Sequence, residues 1–547
     1  MHAVPSPSQI ELQAPGPGTW ILDKVHVPRP FSRFQAEIHP PNLAAGFRMG
    51  ARRYGLLIDT LDWRMVNGFA YFSVPPAPQA EIPERFQSAE DAIAGNIWRD
   101  DMTRWAQEVK PAAITAHLEL QQVDPATLDG NALLSHLDRC REHQQRMIQQ
   151  HHEFSIPAML SIGDFMAQVS EWTGLPLGEF LALVRGAAPE SAGSFVQLDR
   201  LVEAIRSSAE AQALLKSDTA DRELLDRLAS MPGAVGAATL GYLELVAYRL
   251  LDSLDLGSPY AYEVPGVLVS GIRSAVENGP PASSVASEEE IARVRDRVPA
   301  ARRETFDELL GEARLMSRLR DERGLYSEVW AGGITRRAIL AAGDRAVRDG
   351  RLAIAAHLVE GTYAEIRAFI AGGGPSAEEL AGRAEFRATH DSDDVPPFLG
   401  PAPEPPPSLD GLPAAVARVM RAVGTAIDAL FAGSTAESEA TIIHGIGASP
   451  GIYQGTARLV QGPADFDRLQ RGDVLVTSTT TEAFNIVLPV LGAIVTNSGG
   501  LLSHAAIVSR EFGIPGVVGC RNATALIPDG AKVTVDGTIG EVVLETR

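Results

Sequence analysis

A chain of 547 residues is long enough for several domains, since one domain usually takes roughly 100–200 residues. Hydrophobic residues make up 45% and charged residues 21%, with a mean hydropathy of -0.01, which excludes a largely disordered or fibrous protein. The 48 Lys and Arg residues against 69 Asp and Glu residues give a net charge of -21, which repels polyanions and disfavours a general nucleic-acid binder.

The cysteines and the N-terminus indicate the compartment. Cys140 and Cys520 are far apart and match no ligand spacing, so neither a disulfide framework nor a thiolate metal site is predicted. The first residues, MHAVPSP, contain no apolar signal core, and no run approaches the roughly 18 apolar residues that span a bilayer. We therefore expect a cytoplasmic protein with no membrane partner.

The N-terminal part is predicted to contain little regular structure at first and a few strands later. Residues 1–19 are rich in Pro and Gly, which suit neither a helix nor a central strand, and are predicted to be an irregular lead-in. From Trp20 to about Pro75, β-prone segments such as 53–58 and 69–74 alternate with turn formers, and this pattern predicts strands.

The middle of the chain is predicted to be helical. From about Glu84 to Gly372, apolar residues recur every three or four positions between Gly or Pro breaks. We therefore predict a mostly helical domain over 20–385, which includes the β-prone start. The clearest helices are expected at Ala132–His152, Ser194–Leu215, Asp221–Ser230, Ala237–Asp252, Ser287–Arg297, Arg302–Arg323 and Thr335–Val347, with a loop over Gly324–Gly333 between the last two.

A linker is predicted over 386–440. Its prolines, in DSDDVPPFLGPAPEPPP at 391–407, favour extended backbone and predict a semi-rigid tether. A helix at about Leu412–Phe431 and a small-residue stretch, Gly433–Ala440, complete it.

The last segment, 441–547, alternates strand-like runs with short helical ones, which predicts a separate α/β domain. The predicted fold class is therefore an α/β multidomain protein, with a large mostly helical domain, a small β-containing N-terminal part and a C-terminal α/β domain. The strands of that last domain are expected at Thr456–Val460, Asp473–Val476, Ala493–Thr496, Gly516–Val518, Lys532–Val535 and Glu541–Leu544.

A glycine turn between a strand and a helix in this domain has the features of an anion site. Gly499 and Gly500 allow a turn that residues with a Cβ would resist, and Ser503 is a suitable N-cap. His504 then lies in the first helical turn, where backbone N–H groups and the helix dipole favour an anion.

A neutral imidazole in that turn can act as a nucleophile, and a phosphoryl group on its nitrogen would be held by the N–H groups and by the Ser503 hydroxyl. The pattern therefore indicates a phosphohistidine at His504, and Gly499, Gly500 and Ser503 are predicted to bind its phosphoryl group. The alternative is a helix-start histidine that merely packs against a glycine turn.

The stretch TNSGGLLSHAAIVSREFGIPGVVG, at 496–519, resembles the signature of the swivelling phosphohistidine domain of phosphoenolpyruvate synthase, pyruvate phosphate dikinase and rifampin phosphotransferase. The flanking HGIGASPG at 444–451 and Val535–Gly537 are similar to that domain's first turn and final hairpin. The resemblance implies that His504 carries the phosphoryl group. Asn497 stands where family members usually have Asp, whereas Ser503 stands where they have Ser or Thr.

The resemblance extends upstream. Arg383–Phe386 with the following PPFLGPAPEPPP is similar to the linker of rifampin phosphotransferase and of the histidine-bearing subunit of phenylphosphate synthase. PGTW at 17–20 resembles the start of their acceptor domain, and the resemblance implies that 20–385 is an acceptor (substrate-binding) domain. No P-loop pattern and no ATP-grasp region are recognised. We therefore expect a separate ATP-grasp partner that supplies ATP and Mg²⁺. No pyruvate barrel is recognised either, so pyruvate is not the expected acceptor.

Transfer of the phosphoryl group to a hydroxyl needs cationic groups and a base. The densest candidate run, 318–323, contributes Arg320, Glu322 and Arg323 as predicted catalytic residues, and the resemblance implies a similar transfer site. Arg336 and Arg337 are predicted to bind substrate. The alternative is a solvated helix face with paired charges.

A group of histidines on one predicted helix is a second candidate. His136, His143 and His151 fall within a band of roughly 80° on the helix, so they share a face. They could contact substrate or supply a base, and His143 and His151 are predicted to bind substrate. The alternatives are core histidines or an exposed polar stripe. The spacing lacks the H-E-x-x-H pattern, so no metal site is predicted, and His26 and His39 stand out only by their position.

Two hypotheses follow. In the first, the chain is a phosphotransferase component that passes a phosphoryl group from His504 to a hydroxyl of a small, apolar or aromatic molecule, either as the final product or as a step towards dehydration. In the second, it is a phosphocarrier or a ligand-sensing regulatory protein without turnover of its own.

Overall fold

The computed structural model describes residues 12–187, 196–251, 254–279, 285–431, 433, 438, 441–481, 484–485 and 487–545. These residues group into two compact units, each built from three separate segments of the chain. Unit 1 takes its residues from Met1–Pro157, Tyr248–Pro259 and Arg323–Met420, and unit 2 from Ala158–Ala247, Tyr260–Glu322 and Arg421–Arg547. This grouping differs from the boundaries predicted at 20–385, 386–440 and 441–547, because segments far apart in the chain pack together.

The middle of the chain is mostly helical, as predicted. No helix among the described residues is long and apolar enough to cross a bilayer. In chain order the α-helices are α1 (Arg33–Arg53), α2 (Ile82–Gly95), α3 (Trp98–Arg104), α4 (Lys110–Gln121), α5 (Gly130–Glu153), α6 (Ser155–Thr173), α7 (Leu177–Leu181), α8 (Val196–Arg206), α9 (Ala209–Leu215), α10 (Asp221–Ser230), α11 (Ala234–Val246), α12 (Pro265–Asn278), α13 (Glu288–Arg297), α14 (Arg303–Leu325), α15 (Glu328–Arg348), α16 (Tyr363–Ile370), α17 (Ala377–Thr389), α18 (Ala414–Phe431), α19 (His504–Phe512) and α20 (Ala523–Leu526).

Four predicted segments differ from these helices or extend beyond the described residues. The helix predicted at Ser194–Leu215 is split into α8 and α9, because the Ser208 side chain caps the start of α9 by accepting a hydrogen bond from the Ala211 N–H. The helix predicted at Ala237–Asp252 ends earlier, at Val246, and residue 252 lies outside the described residues. The start of the Ser194–Leu215 prediction, most of Gly433–Ala440 and residues 1–11 of the lead-in also lie outside the described residues.

Unit 1 contains a four-stranded antiparallel sheet in the order β2-β3-β1-β4. Its last strand lies in the stretch predicted to be a tether. The apolar pair in that strand is buried or half-buried against β1, and the Tyr71 hydroxyl donates a hydrogen bond to the Pro396 carbonyl at 2.8 Å. The beginning of the predicted tether is therefore part of the sheet, whereas residues 400–407 are exposed. The strands are β1 (Trp20–Leu22), β2 (Asp62–Val66), β3 (Phe69–Ser73) and β4 (Phe398–Leu399).

Helix α1 occupies a stretch in which the sequence predicted only short mixed segments. It contains Pro40 and Pro41, and two glycines allow it to approach α5 closely. A Cβ on Gly46 would lie 2.1 Å from the Gln149 carbonyl oxygen, and one on Gly50 would lie 3.0 Å from a backbone oxygen of the same helix. Packing of α1 against α5 therefore stabilises a helix that the local sequence pattern did not predict.

The predicted loop over Gly324–Gly333 is wrong. Helix α15 begins at Glu328, so Gly332 and Gly333 lie inside it. A Cβ on Gly332 would lie 2.7 Å from the Leu250 side chain, which shows that this glycine serves close packing and not a turn. As a result, Glu328 becomes a buried residue in the first turn of a helix.

Unit 2 contains an eight-stranded sheet in the order β5-β12-β11-β7-β8-β9-β10-β6, whose central strands β7 to β10 run parallel. The six predicted strands are all present, with β7 beginning earlier than expected. Ligands of such sheets bind at the carboxyl ends of the parallel strands, and the β9–α19 connection places His504 at this edge. The strands are β5 (Ile442–His444), β6 (Ile446–Ser449), β7 (Ile452–Leu459), β8 (Asp473–Thr477), β9 (Leu491–Thr496), β10 (Gly516–Val518), β11 (Lys532–Asp536) and β12 (Glu541–Leu544).

Candidate functional site

His504 is the first residue of α19, and its turn is held as the sequence predicts. The Ser503 side chain caps the helix by accepting a hydrogen bond from the Ala506 N–H at 3.4 Å. Gly499 has a φ of +104°, and a Cβ there would lie 2.7 Å from Ser503. The Gly500 N–H, predicted to bind the phosphoryl group, instead donates to the Leu430 carbonyl at 3.0 Å. Only a glycine fits position 499 without strain, and the turn directs His504 to the helix N-terminus.

Both ring nitrogens of His504 have a side-chain partner. The Thr480 hydroxyl lies 2.8 Å from Nδ1, and the Asn485 side-chain oxygen lies 3.1 Å from Nε2. Both partners come from the chain that follows β8, the strand beside β9. These contacts fix the plane of the ring, and in the neutral form one ring nitrogen keeps the lone pair that a nucleophile needs.

The imidazole is neutral over the physiological pH range. Burial is the largest cause that lowers the pKa of His504 to about 4, and the Arg320 charge lowers it further while Asp321 opposes the shift. A neutral ring at a helix N-terminus is a competent nucleophile, and it is not held in the protonated form that would block attack.

A cleft next to this turn contains a concentration of charge. The Arg320 guanidinium donates to the Leu502 carbonyl, and Arg510 donates to the Leu501 carbonyl at 2.8 Å. Glu511 accepts two contacts from the Gly186 N–H, at 2.9 and 3.0 Å. Two guanidinium groups beside a helix N-terminus provide the cationic surroundings that a phosphoryl group requires. The cleft is lined by Ile162, Leu181, Val184, Arg185, Ser317, Arg320, Asp321, Leu502, Ile507, Arg510 and Glu511.

The three residues predicted from the 318–323 run, Arg320, Glu322 and Arg323, lie in three different environments. Arg320 lies beside the His504 turn in unit 2. Glu322 is 1% exposed and accepts from Arg318 at 2.5 Å, so its charge is paired along the helix as in the alternative, but the carboxylate is buried and not on a solvated face. Arg323 belongs to unit 1, where it donates to the His151 carbonyl at 3.2 Å and to the Ser155 hydroxyl at 3.1 Å.

Arg336 and Arg337, predicted to bind substrate, make structural contacts. Arg336 is 4% exposed and donates to the Leu256 carbonyl at 2.6 Å. Arg337 donates to the Gln121 carbonyl at 2.8 Å, and its guanidinium lies over the Tyr248 ring. Both side chains tie helices to loops within unit 1, and we leave them out of the candidate site.

His143 is separated from His151 although the two share α5. Its Nε2 lies 2.8 Å from His117 Nδ1, and the His117 ring stacks on Trp330 with centroids 4.6 Å apart. His117 also contacts the Tyr326 carbonyl at 3.1 Å. This arrangement is the core-histidine alternative, and we place His143 outside the candidate site.

His151 instead belongs to a buried group in unit 1 that we call the Glu328 cluster, defined as His39, His151, His152 and Glu328. His151 Nδ1 lies 2.7 Å from Glu328 Oε1, and His39 Nδ1 lies 3.8 Å from Oε2. The His152 ring meets the His39 ring edge-on, with centroids 5.7 Å apart. The four side chains come from α1, α5 and α15.

Burial sets the protonation of the Glu328 cluster. It lowers the pKa of His39 and holds the pKa of His151 and His152 well below the usual histidine value. Burial also raises the pKa of Glu328, although nearby His39 and Arg323 oppose this shift. The cluster is therefore a set of neutral imidazoles around a carboxyl group with little solvation.

Sequence reasoning missed Thr480, Asn485 and Glu328. Thr480 and Asn485 follow a predicted strand adjacent to the one that ends before the glycine turn, so the carboxyl-edge rule for parallel strands was a usable signal. Glu328 lay in a predicted loop, and no motif around it indicated a functional role. His39 stood out in the sequence only by its position.

Comparisons with known proteins match two separate regions of the chain to two protein families. Residues 469–540 match the family described as PEP-utilising enzyme, mobile domain, and this range contains His504, Thr480 and Asn485. Residues 150–322 match the family described as rifampicin phosphotransferase fourth domain, and this range contains Arg320 and Glu322. The predicted resemblance and the predicted α/β multidomain class are confirmed.

Individual relatives match different lengths of this chain. A rifampicin phosphotransferase from Streptomyces sp is 27% identical over 474 residues, which cover 80% of this chain and 50% of that protein. Chondramide synthase cmdD from Chondromyces crocatus is 26% identical over 96% of this chain and 14% of its own length. A probable phosphoenolpyruvate synthase from Archaeoglobus fulgidus is 45% identical over 106 residues, 19% of this chain and 14% of that protein. This chain spans half or less of the length of each of these relatives. Residues 469–540 are therefore similar to PEP-utilising enzyme mobile domains, and residues 150–322 are similar to the fourth domain of rifampicin phosphotransferases.

Proposed function

We propose that this chain is a phosphotransferase component that carries a phosphoryl group on His504 and transfers it to a hydroxyl of a small molecule. The observation that carries the proposal is the geometry of His504. Its neutral imidazole lies at the N-terminus of α19 and is oriented by Thr480 and Asn485. His504 also lies within the region that matches the PEP-utilising enzyme mobile domain.

The chemistry consists of two displacements at phosphorus. In the first, the lone pair of a His504 ring nitrogen forms the N–P bond while the P–O bond to the donor breaks. In the second, the acceptor oxygen forms an O–P bond, the N–P bond breaks, and the hydroxyl proton passes to a base. Arg320 and the first-turn N–H groups of α19 stabilise the negative charge on the phosphoryl oxygens.

The donor in this proposal is ATP with Mg²⁺, used by an ATP-grasp partner protein. The acceptor is a small apolar or aromatic molecule with a hydroxyl group. The similarity to rifampicin phosphotransferase, which by its name phosphorylates a small molecule, supports this class of acceptor. The phosphorylated molecule is either released or used for elimination of phosphate, which would give net dehydration.

The experiment is intact-protein and peptide mass spectrometry at alkaline pH after incubation with ATP, Mg²⁺ and the ATP-grasp partner. We expect an acid-labile addition of about 80 Da, one phosphoryl group, on His504. His504→Gln should remove the label. His444→Gln changes another incompletely buried histidine of unit 2 and should keep it.

The outcomes separate the hypotheses. Loss of the label when a hydroxyl compound is added supports the phosphotransferase and identifies the acceptor. A stable label that no compound discharges would favour the phosphocarrier or ligand-sensing alternative. A label that persists in His504→Gln, or none in the presence of an active partner, contradicts the proposal.

A further inference from the structure

The Glu328 cluster has the donor set of a metal site. One nitrogen each of His39 and His152 and one carboxylate oxygen of Glu328 all lie within 4.8 Å of one another. His39 is 0% exposed and Glu328 is 4% exposed. Three potential ligands from three separate helices therefore converge on one point in the interior of unit 1.

These groups lack the hydrogen bonds that buried polar atoms normally make. His39 Nε2, His152 Nε2 and both carboxylate oxygens of Glu328 are buried without a hydrogen-bond partner. His151 Nδ1 lies 2.7 Å from Oε1, but the two atoms are not aligned as donor and acceptor. A buried carboxylate left in this way is costly, and a cation bound by one nitrogen of each histidine and one carboxylate oxygen would offset that cost.

Neighbouring side chains hold the ligands in place. The His39 ring stacks on Trp63 with centroids 5.3 Å apart, which fixes its plane. The neighbouring Arg323 guanidinium is engaged with the His151 carbonyl and the Ser155 hydroxyl.

We propose that His39, His152 and Glu328 bind a divalent transition-metal ion of the zinc type. Two imidazoles and one carboxylate suit Zn²⁺, Co²⁺ or Fe²⁺, whereas Mg²⁺ and Ca²⁺ prefer sets of oxygen ligands. Metal–ligand bonds of about 2.0–2.2 Å require the donors to draw together by roughly an ångström, which side-chain rotation can provide. His151, beside the carboxylate, is placed to orient Glu328 by hydrogen bonding once the ion is bound.

Three protein ligands leave a coordination position for an oxygen ligand from outside the protein, as in catalytic zinc sites. An ion in this position can bind a hydroxyl oxygen and lower the pKa of that hydroxyl. Only this consequence rests on the proposed phosphoryl transfer. Metal binding itself does not depend on it.

The experiment measures metal binding to the full chain after treatment with a chelator and dialysis. Zn²⁺ is titrated in competition with a colorimetric chelator, and Co²⁺ is added separately as a spectroscopic probe. We expect about one ion per chain and visible Co²⁺ absorption bands of a site with nitrogen and oxygen ligands. Glu328→Gln and His152→Asn should weaken Zn²⁺ binding by roughly 100-fold or more, since each removes a direct ligand.

Two controls make the result decisive. His143→Asn changes a buried histidine on α5 outside the cluster and should bind Zn²⁺ like the unaltered chain. His152 is only partly buried, so His152→Asn should fold even if Glu328→Gln does not. His504→Gln should keep the metal, which separates this test from that of the proposed function. No Zn²⁺ binding by the unaltered chain, or equal binding by His152→Asn, would overturn the proposal.

Discussion

The His504 turn and the Glu328 cluster differ in how the chain builds them. The His504 turn is nearly contiguous, since its strand, glycines, cap and helix follow one another within residues 491–512. The Glu328 cluster combines α1, α5 and α15, and its residues on different helices are at least 112 positions apart in the chain. The comparison shows that a site encoded in one segment can be predicted from backbone rules, whereas a site assembled from distant helices depends on how those helices pack.

The largest expected effect tests the packing that assembles the Glu328 cluster. A Cβ at Gly46 would lie 2.1 Å from the Gln149 carbonyl oxygen, so Gly46→Ala must push α1 away from α5. We expect the free energy of unfolding to fall by about 3 kcal/mol, measured by chemical denaturation. Gly382→Ala, in α17 with open space around it, should instead stabilise by about 0.5–1 kcal/mol. Equal effects of the two substitutions would contradict the packing argument.

The second prediction tests the contiguous turn. Gly499→Ala places a side chain at a φ of +104° and within 2.7 Å of Ser503. We expect a cost of about 1–3 kcal/mol and loss of the phosphoryl label on His504, since the turn that orients the helix is strained. Gly424→Ala, in α18 with open space, is the matched control and should keep the label. Normal labelling of Gly499→Ala would show that the turn is not required.

The third prediction concerns pH. The pKa of His504 is lowered to about 4, so between pH 6.5 and 4 the unfolded chain takes up a proton that the folded one does not. The His504 contribution to stability is therefore present above pH 6.5 and is lost as the pH falls towards 4. His504→Gln should reduce this dependence. NMR titration of the His504 ring should give an apparent pKa near 4, and a value near 6.5 would contradict the burial argument.

The smallest expected effect separates capping from catalysis. Ser503→Ala removes the N-cap of α19, and Ser208→Ala removes the equivalent cap of α9. Each should cost about 1 kcal/mol of stability in chemical denaturation. Only Ser503→Ala should also slow the phosphorylation of His504, because that hydroxyl lies next to the proposed phosphoryl group. Equal phosphorylation rates in the two variants would limit Ser503 to a structural role.

The sequence by itself determined the elements whose signals are local. The alternation of strand-like and helical runs predicted the six strands of the last domain, and Gly499 and Ser503 predicted where α19 begins. Capping groups and glycine backbone freedom act within a few residues, so these features can be inferred without the rest of the fold.

Only the tertiary structure decided which distant side chains meet. Gly46 and Gly332 appear in the sequence as breaks, but in the folded chain they permit close packing of α1 on α5 and of α15 on Leu250. That packing buries Glu328 among three histidines and separates His143 from His151. The interactions responsible are contacts between residues far apart in the chain, and local propensity carries no information about them.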